Sequence, residues 1–303
     1  MNKGQIRRNI KSLAKRMLKG GWGLALLVLL VPTLLSAGFV ALDKMVIIGL
    51  GYPPDIPIEI LSDDLRYAAM SLALAIASFF LATPLTFGVR DWYVELGAGN
   101  KESLGYIFNW FSTVKKFGRT IGVALLVGIK TFLWTMLFII PLVFATAGVI
   151  FIGWIPFTFD QFRMYMYDRE LILMILQTII PQIIACISVY IIWGLAVSIW
   201  LMRYAAAPYI LINNPEKGIR ECIAESVRMM KGHCTEYFMF NLSFLGWILL
   251  SPLTFFLMLL WLIPYMMQST ALFFKYIEDA YFMPGFDSPY NQIKLTEESN
   301  NNE

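Results

Sequence analysis

Lys130 and Arg203 are charged residues embedded in long apolar stretches, a setting in which one side chain can do chemistry inside a membrane. Lys130 lies about eleven residues into an apolar region that begins near 119. A charge at that depth marks an ion or substrate pathway by default. The alternative is a span that starts later, with Lys130 snorkelling to the interface. Arg203 lies near the end of the next apolar region, where snorkelling or pairing is the simpler interpretation.

His233 is the only histidine in the chain. Its charge changes near neutral pH, which would suit a pH sensor. It also stands beside Lys231 at the expected end of a helix, where a capping or interface role is the alternative. No carboxylates or cysteines converge on it in the sequence, so an ordinary metal site is not indicated. We therefore expect neither a metal nor a cofactor.

The sequence lacks the common motifs of hydrolytic and phosphate chemistry. It contains no HExxH, no GxSxG and no Walker phosphate loop. The cysteines Cys186, Cys222 and Cys234 form no CxxC pair, which argues against a disulfide framework or a zinc knuckle. We therefore expect a protein that is not an enzyme, with no catalytic, cofactor-binding or metal-binding residue to name.

Composition indicates the elements that must hold these residues. Hydrophobic residues make up 58% of the 303 residues and charged residues 15%, with a mean hydropathy of +0.64. Soluble domains carry about 25% charged residues. The apolar runs are long enough to cross a hydrocarbon core of about 30 Å. Because backbone groups in lipid must be satisfied within their own segment, we predict an all-α fold, a polytopic transmembrane helix bundle.

The apolar runs predict six spans, with both ends of the chain on one side of the membrane. A single transmembrane domain would cover 22–277, between a basic helix over 1–21 and a polar tail over 278–303. Five spans with the tail on the opposite side is the alternative, and a signal peptide cleaved within 36–41 is another. The predicted spans lie near 22–42, 66–90, 119–156, 171–212, 236–258 and 261–277.

Basic amphipathic helices are predicted to lie in the headgroup plane and to engage anionic lipid. The first covers 3–19, where no acid interrupts the cations. Its apolar stripe follows the spacing of one helix face and consists of Ile6, Ile10, Leu13 and Met17. The cations predicted to face lipid in this helix and in a second one are Arg7, Arg8, Lys11, Lys15, Arg16, Lys19, Arg228 and Lys231.

The second basic helix is predicted over 215–233, with Asn214 as its cap and Gly232 at its end. A weaker amphipathic helix is predicted over 103–117. Short basic segments stay in the cytoplasm, which places the N-terminus inside. Together the three stretches suggest a threefold repeat of interface helix and span hairpin; chance similarity of short basic segments is the alternative.

Several short segments carry a likeness to a known family. They include Leu18-Lys19-Gly20-Gly21-Trp22, Met229-Met230-Lys231-Gly232-His233 and Leu242-Ser243-Phe244-Leu245-Gly246-Trp247. With them the chain resembles the integral-membrane family catalogued as domain of unknown function 975, found mainly in Gram-positive bacteria. The stretch near 142–203 departs from the family pattern as an insertion. The resemblance implies a multi-pass protein of the bacterial inner membrane without assigned chemistry, and it supplies no catalytic residue.

Basic stretches on one side and no catalytic cluster favour a non-enzymatic inner-membrane protein that organises a membrane complex or engages anionic lipid. The expected partners are the lipid bilayer and either another membrane protein or a second copy of the chain, but not nucleic acid. The competing hypothesis is a component of a transporter or exporter for a small or lipidic substrate, with Lys130, Pro141 and Pro181 as its machinery. A membrane enzyme that acts on lipid is the third.

Overall fold

The computed structural model describes residues 3–53, 55–57, 61, 63–154 and 169–282, and within them the secondary structure is helical. The predicted tail beyond 282, and 157–168 of the predicted loop between the third and fourth spans, lie outside the described residues. Short 3-10 helices cover Leu104–Phe111, Met202–Tyr204 and Ser251–Thr254. The α-helices are α1 (Lys3–Met17), α2 (Trp22–Gly49), α3 (Leu65–Gly97), α4 (Val114–Trp154), α5 (Arg169–Leu201), α6 (Ala207–Asn213), α7 (Ile219–Met229), α8 (Cys234–Leu250) and α9 (Leu259–Phe282).

Five of the described segments are helical, long and apolar enough to cross a membrane, as expected of a helical membrane bundle. They are Trp22–Gly49, Leu65–Gly97, Val114–Phe144, Ile180–Asn213 and Cys234–Thr254. These segments overlap the first five predicted spans. The predicted sixth span falls in α9, which is not among them; the second half of α9 carries Gln268, Lys275, Glu278 and Asp279.

The described chain divides into two compact units. Unit 1 comprises Met1–Leu125 and Tyr204–Glu303, and unit 2 comprises Leu126–Arg203. Unit 1 therefore holds α1 to α3, the first turns of α4, and α6 to α9. Unit 2 holds the remainder of α4 together with α5.

Helices α2 and α3 form an antiparallel pair that organises unit 1. Near the start of α2 and the end of α3, the Tyr93 hydroxyl donates a 2.9 Å hydrogen bond to the Ala25 carbonyl. Near their other ends, the Tyr67 hydroxyl lies 3.4 Å from a carboxylate oxygen of Asp43. Both helices continue about one to two turns past the predicted span ends at 42 and 90, which brings Asp43 and Asp91 into helical positions.

The 3-10 helix Leu104–Phe111 packs directly on the backbone of α3. A Cβ atom added at Gly88 would lie 1.8 Å from the Ile107 carbonyl oxygen, so only glycine permits this approach. Ile107 and Trp110 are buried in the contact, and the Trp110 indole donates a 2.9 Å hydrogen bond to Asp91. The structure thus has a 3-10 helix followed by α4 where the sequence predicted one amphipathic helix over 103–117.

Two other local predictions are wrong. α6 ends at Asn213 and α7 begins at Ile219 with Gly218 as its N-cap, so Asn214 ends a helix rather than starting one. The connection between α8 and α9 occupies 251–258, and Pro264 lies inside α9 rather than at a break.

Unit 2 contains an antiparallel hairpin of α4 and α5 that is closed by aromatic residues. The Trp134 and Trp200 ring centroids are 5.3 Å apart, and the Trp193 indole donates a 2.8 Å hydrogen bond to the Phe138 carbonyl. Pro141 and Pro181 lie inside these helices.

Candidate functional site

α1 packs on unit 1 with its apolar face turned inward. Ile10 and Ala14 are fully buried, and Ile6 is 7% exposed. The principal neighbour of this face is α9. The stripe predicted to enter lipid therefore contacts protein, because α9 and α8 offer apolar side chains that cover it.

Polar contacts hold the same helix against α8. The Lys11 ammonium donates a 2.6 Å hydrogen bond to Ser243 Oγ and lies 3.8 Å from the centre of the Phe244 ring. Cation–π contacts of this kind contribute about 0.5–2 kcal/mol. Burial and the neighbouring Arg7 lower the pKa of Lys11. Lys11 was predicted to face lipid, but it serves to dock α1 on α8.

The opposite face of α1 and the turn after it form an exposed basic surface. Among the described residues, the ion pairs involve side chains other than the four cations of this surface. We name this set the α1 basic surface, and it consists of Arg8, Lys15, Arg16 and Lys19. The structure thus separates the predicted cations into a docking set and an exposed set.

α7 repeats this arrangement on a smaller scale. Ile223 and the C-cap residue Met230 are fully buried, whereas Arg228 and Lys231 are exposed. The related phrases that end with Lys19 and Lys231 are each followed by glycine in the left-handed region, with φ +84° at Gly20 and +86° at Gly232. Both basic helices therefore end in the same way, with a lysine followed by a left-handed glycine.

His233 lies beside a buried carboxylate. Its Nδ1 is 3.4 Å from Glu236 Oε2, and Lys3 Nζ is 3.8 Å from the same oxygen. The Glu236 side chain is 5% exposed. The structure therefore brings together the start of α8 and the start of α1, a contact that the sequence analysis missed. The spacing of three residues between His233 and Glu236, typical of neighbours on one helix face, is the signal that was available.

Lys130 and Arg203, the other two sequence-derived candidates, belong to unit 2. The Arg203 guanidinium lies 3.4 Å from the centre of the Trp200 ring, a stacked cation–π arrangement. The Lys130 side chain is exposed and is flanked by the exposed apolar residues Ile129 and Phe132.

A cleft of about 440 Å³ lies beside α1 in unit 1. Helices α1, α3, α6 and α9 contribute its walls, with Leu13 and Met17 from the apolar stripe of α1. Glu95, Lys275 and Asp279 are the charged residues of the lining, and Lys275 Nζ is 3.2 Å from Asp279 Oδ1. Because this lining contains both acidic and basic side chains, it does not favour an anion. The α1 basic surface, which contains only cations among its charged residues, does.

Buried acids surround this end of unit 1, and the sequence analysis did not predict them as a group. Glu278 borders the cleft and accepts a hydrogen bond from the Asn213 amide. Burial raises the pKa of Glu278, although Lys275 and Asn213 oppose the shift. Asp91, Glu225 and Glu236 are likewise less than a tenth exposed, and each has a hydrogen-bond or ion-pair partner. Each of these acids joins its helix to another segment of unit 1. We therefore interpret them as packing residues rather than as catalytic ones.

Comparison with known proteins identifies the family of the chain and gives no further match. No curated protein and no solved structure matches the chain. A family match covers residues 1–281. It includes the stretch near 142–203 and every helix described above, apart from the last residue of α9. The chain therefore belongs to the family described as "Protein of unknown function (DUF975)".

Proposed function

We propose that this protein is a non-enzymatic protein of the bacterial inner membrane that binds anionic lipid through the α1 basic surface, with its N-terminus in the cytoplasm. The observation that carries the proposal is the division of labour on α1. Ile6, Ile10 and Lys11 contact protein, while the cations of the α1 basic surface are exposed. Because protein already covers the apolar face of α1, only its exposed charges remain to bind a membrane.

Placement supports lipid as the partner of these cations. Lys19 stands three residues before Trp22, where the first apolar helix begins, so Lys15, Arg16 and Lys19 lie close to the point at which the chain enters lipid. A basic residue near an anionic bilayer surface contributes about 1 kcal/mol. The attraction is screened over about 8–10 Å at physiological salt, so only cations close to the surface contribute.

The experiment compares lipid stabilisation of the full-length protein in neutral detergent. Its melting temperature is measured with added phosphatidylglycerol or phosphatidylcholine, at low and at high salt. We expect phosphatidylglycerol to raise the melting temperature more than phosphatidylcholine does, and the difference to shrink with salt. The variant Lys15→Gln/Arg16→Gln/Lys19→Gln should lose most of the difference.

The matched control is Lys15→Arg/Arg16→Lys/Lys19→Arg, which keeps all three charges and changes every side chain. It should respond to phosphatidylglycerol as the parent does. Equal responses of the parent to the two lipids would contradict the proposal. So would an undiminished response in the glutamine variant, since the charge would then lie elsewhere.

A further inference from the structure

The connection between α8 and α9 carries no charged side chain. No charged residue occurs between Glu236 and Lys275. Ser251 and Thr254 are the polar side chains of the turn at 251–258, and its large apolar side chains point outward. The most exposed are Leu253 (79%), Phe255 (89%), Phe256 (58%) and Leu257 (66%). Turns that face water are instead rich in glycine, asparagine and aspartate.

The backbone N–H groups of this turn need no water. Every N–H from 255 to 262 donates a hydrogen bond within the turn and the start of α9. Thr254 Oγ1 accepts from the Met258 N–H at 3.3 Å and donates to the Ser251 carbonyl at 2.9 Å. Ser251 Oγ in turn donates to the Ile248 carbonyl at 2.7 Å. Hydrocarbon imposes this condition, because an unpaired backbone donor has no alternative partner there.

The turn also places phenylalanine where glycine is the usual residue. Phe255 and Phe256 have φ values of +48° and +63°, in the left-handed region that disfavours residues with a Cβ. The conformation presents both rings to the surroundings. Outward apolar rings on a strained backbone are costly in water and favourable among acyl chains.

Contacts show at which end of α2 the turn lies. The Trp22 and Trp261 ring centroids are 6.0 Å apart, so the start of α9 lies beside the start of α2. The far end of α2 is marked by the contact between Asp43 and Tyr67. A hairpin that crossed the membrane from the side of α2's start would put Trp261 near that far end.

The lengths of the apolar arms lead to the same conclusion. In α2, 21 uncharged residues precede Asp43, and in α3, 23 separate Arg66 from Arg90, which is about 32–35 Å of helix. From Glu236 to the turn the uncharged part of α8 has 14 residues, and from the turn to Lys275 that of α9 has 16. These uncharged helical arms of about 21–24 Å are shorter than a hydrocarbon core of about 30 Å. The segment Cys234–Thr254 reaches the length of a span only by including Glu236 and the turn residues 251–254.

We propose that α8 and α9 form a re-entrant hairpin, which inserts its apolar tip among the acyl chains on the side where α2 begins and returns to that side. The crossings of the membrane would then be α2, α3, α4 and the segment from α5 to α6. This hairpin differs from both the six-span and the five-span predictions, and it does not depend on any affinity of α1 for anionic lipid.

A spin label at the tip measures its surroundings directly. The full-length protein, with its native cysteines replaced by alanine, receives single cysteines by Leu253→Cys and, separately, Phe255→Cys. Asp55→Cys, in the turn after α2, is the water-exposed control. After reconstitution, collision rates with oxygen and with a water-soluble nickel chelate are measured by electron paramagnetic resonance. We expect oxygen to dominate at both tip positions and the nickel chelate to dominate at 55.

The side is tested by cross-linking the double variant Trp22→Cys/Trp261→Cys with a short bismaleimide in native membranes. It should form an intramolecular cross-link, whereas Trp22→Cys/Asp55→Cys should not. Leu253 has an ordinary backbone conformation, so the Leu253→Cys variant decides the depth even if Phe255→Cys fails to fold. Water-like collision rates at 253, or cross-linking of position 22 to 55 instead of 261, would overturn the proposal.

Discussion

A single turn of α1 separates cations with different tasks. Lys11 is half-buried, bonded to Ser243 and stacked on Phe244, whereas Lys15, four residues later, is exposed. The sequence shows both as cations beside an apolar stripe, and the pattern predicted that Ile6 and Ile10 share one face, which the structure buries in protein. It could not reveal that α8 and α9 cover that face, because the covering residues lie more than 200 positions away.

Glu278 and Glu216 should respond to pH in opposite directions. Burial raises the pKa of Glu278, so the folded protein holds a proton that the unfolded chain loses, and stability falls as pH rises through the raised pKa. Hydrogen bonding and charge from Lys115, with Arg119 adding to it, lower the pKa of Glu216. That carboxylate stabilises the fold above its ordinary pKa, and the contribution is lost as pH falls through the lowered one.

The check is the melting temperature of Glu278→Gln and Glu216→Gln from pH 4 to pH 8. At neutral pH, Glu278→Gln should melt above the parent and Glu216→Gln slightly below it, because Glu216 is exposed and solvent screens surface ion pairs. Both differences should shrink toward pH 4. A Glu278→Gln variant that loses stability at neutral pH would show that Lys275 and Asn213 outweigh the cost of burial.

At the scale of elements, glycines decide which helices can touch. The 3-10 helix Leu104–Phe111 meets α3 at Gly88 through backbone atoms. α4 meets α7 at Gly122, where an added Cβ would lie 2.3 Å from Cδ1 of Ile219. Gly38 in α2 has no neighbour within 4 Å of such an atom. A side chain at Gly88 could be accommodated only if backbone atoms moved. A side chain at Gly122 could be accommodated by rotation of the Ile219 side chain.

Alanine substitutions should therefore rank in a fixed order. Gly88→Ala should cost at least about 1–3 kcal/mol, the usual range for overpacking, because the Ile107 carbonyl must move. Gly122→Ala should cost less, and Gly38→Ala should be neutral or stabilising, since alanine favours a helix by about 1 kcal/mol over glycine. Thermal unfolding in detergent measures the order. A Gly88→Ala variant as stable as Gly38→Ala would contradict the packing of the 3-10 helix on α3.

The sequence predicted helices well where apolar runs are long and poorly where short segments meet. The first five predicted spans all overlap helices that are apolar enough to cross a membrane. The stretch at 103–117 was predicted to place Ile107, Phe108, Phe111 and Val114 on one apolar face. Ile107 is buried, but together with Trp110, whereas Phe108 and Val114 are exposed, because the segment is a 3-10 helix whose shape depends on a glycine in another element. Asn214 and Pro264 were misread because cap and break signals are local, while the ends of α6, α7 and α9 are set by tertiary contacts.

At the scale of the whole molecule, unit 1 is more than a set of lipid-facing spans. Its buried acids and the aromatic contacts among Phe240, Phe273 and Phe274 form a core of the kind found in soluble proteins, joined to α2 and α3. Composition could not show this core, because buried aromatics and lipid-facing aromatics look alike in a sequence. The basic helices are therefore part of the packed core of unit 1.

Hydrogen–deuterium exchange of the full-length protein in nanodiscs tests that claim most directly. If α1 is docked on α8 and α9, its amides between 6 and 14 should already exchange slowly in phosphatidylcholine nanodiscs, where no anionic lipid is present, with α9 as the internal reference. Rapid exchange of α1 in phosphatidylcholine, with protection restored by phosphatidylglycerol, would contradict the account, because it would show a helix held in place by lipid charge rather than by protein.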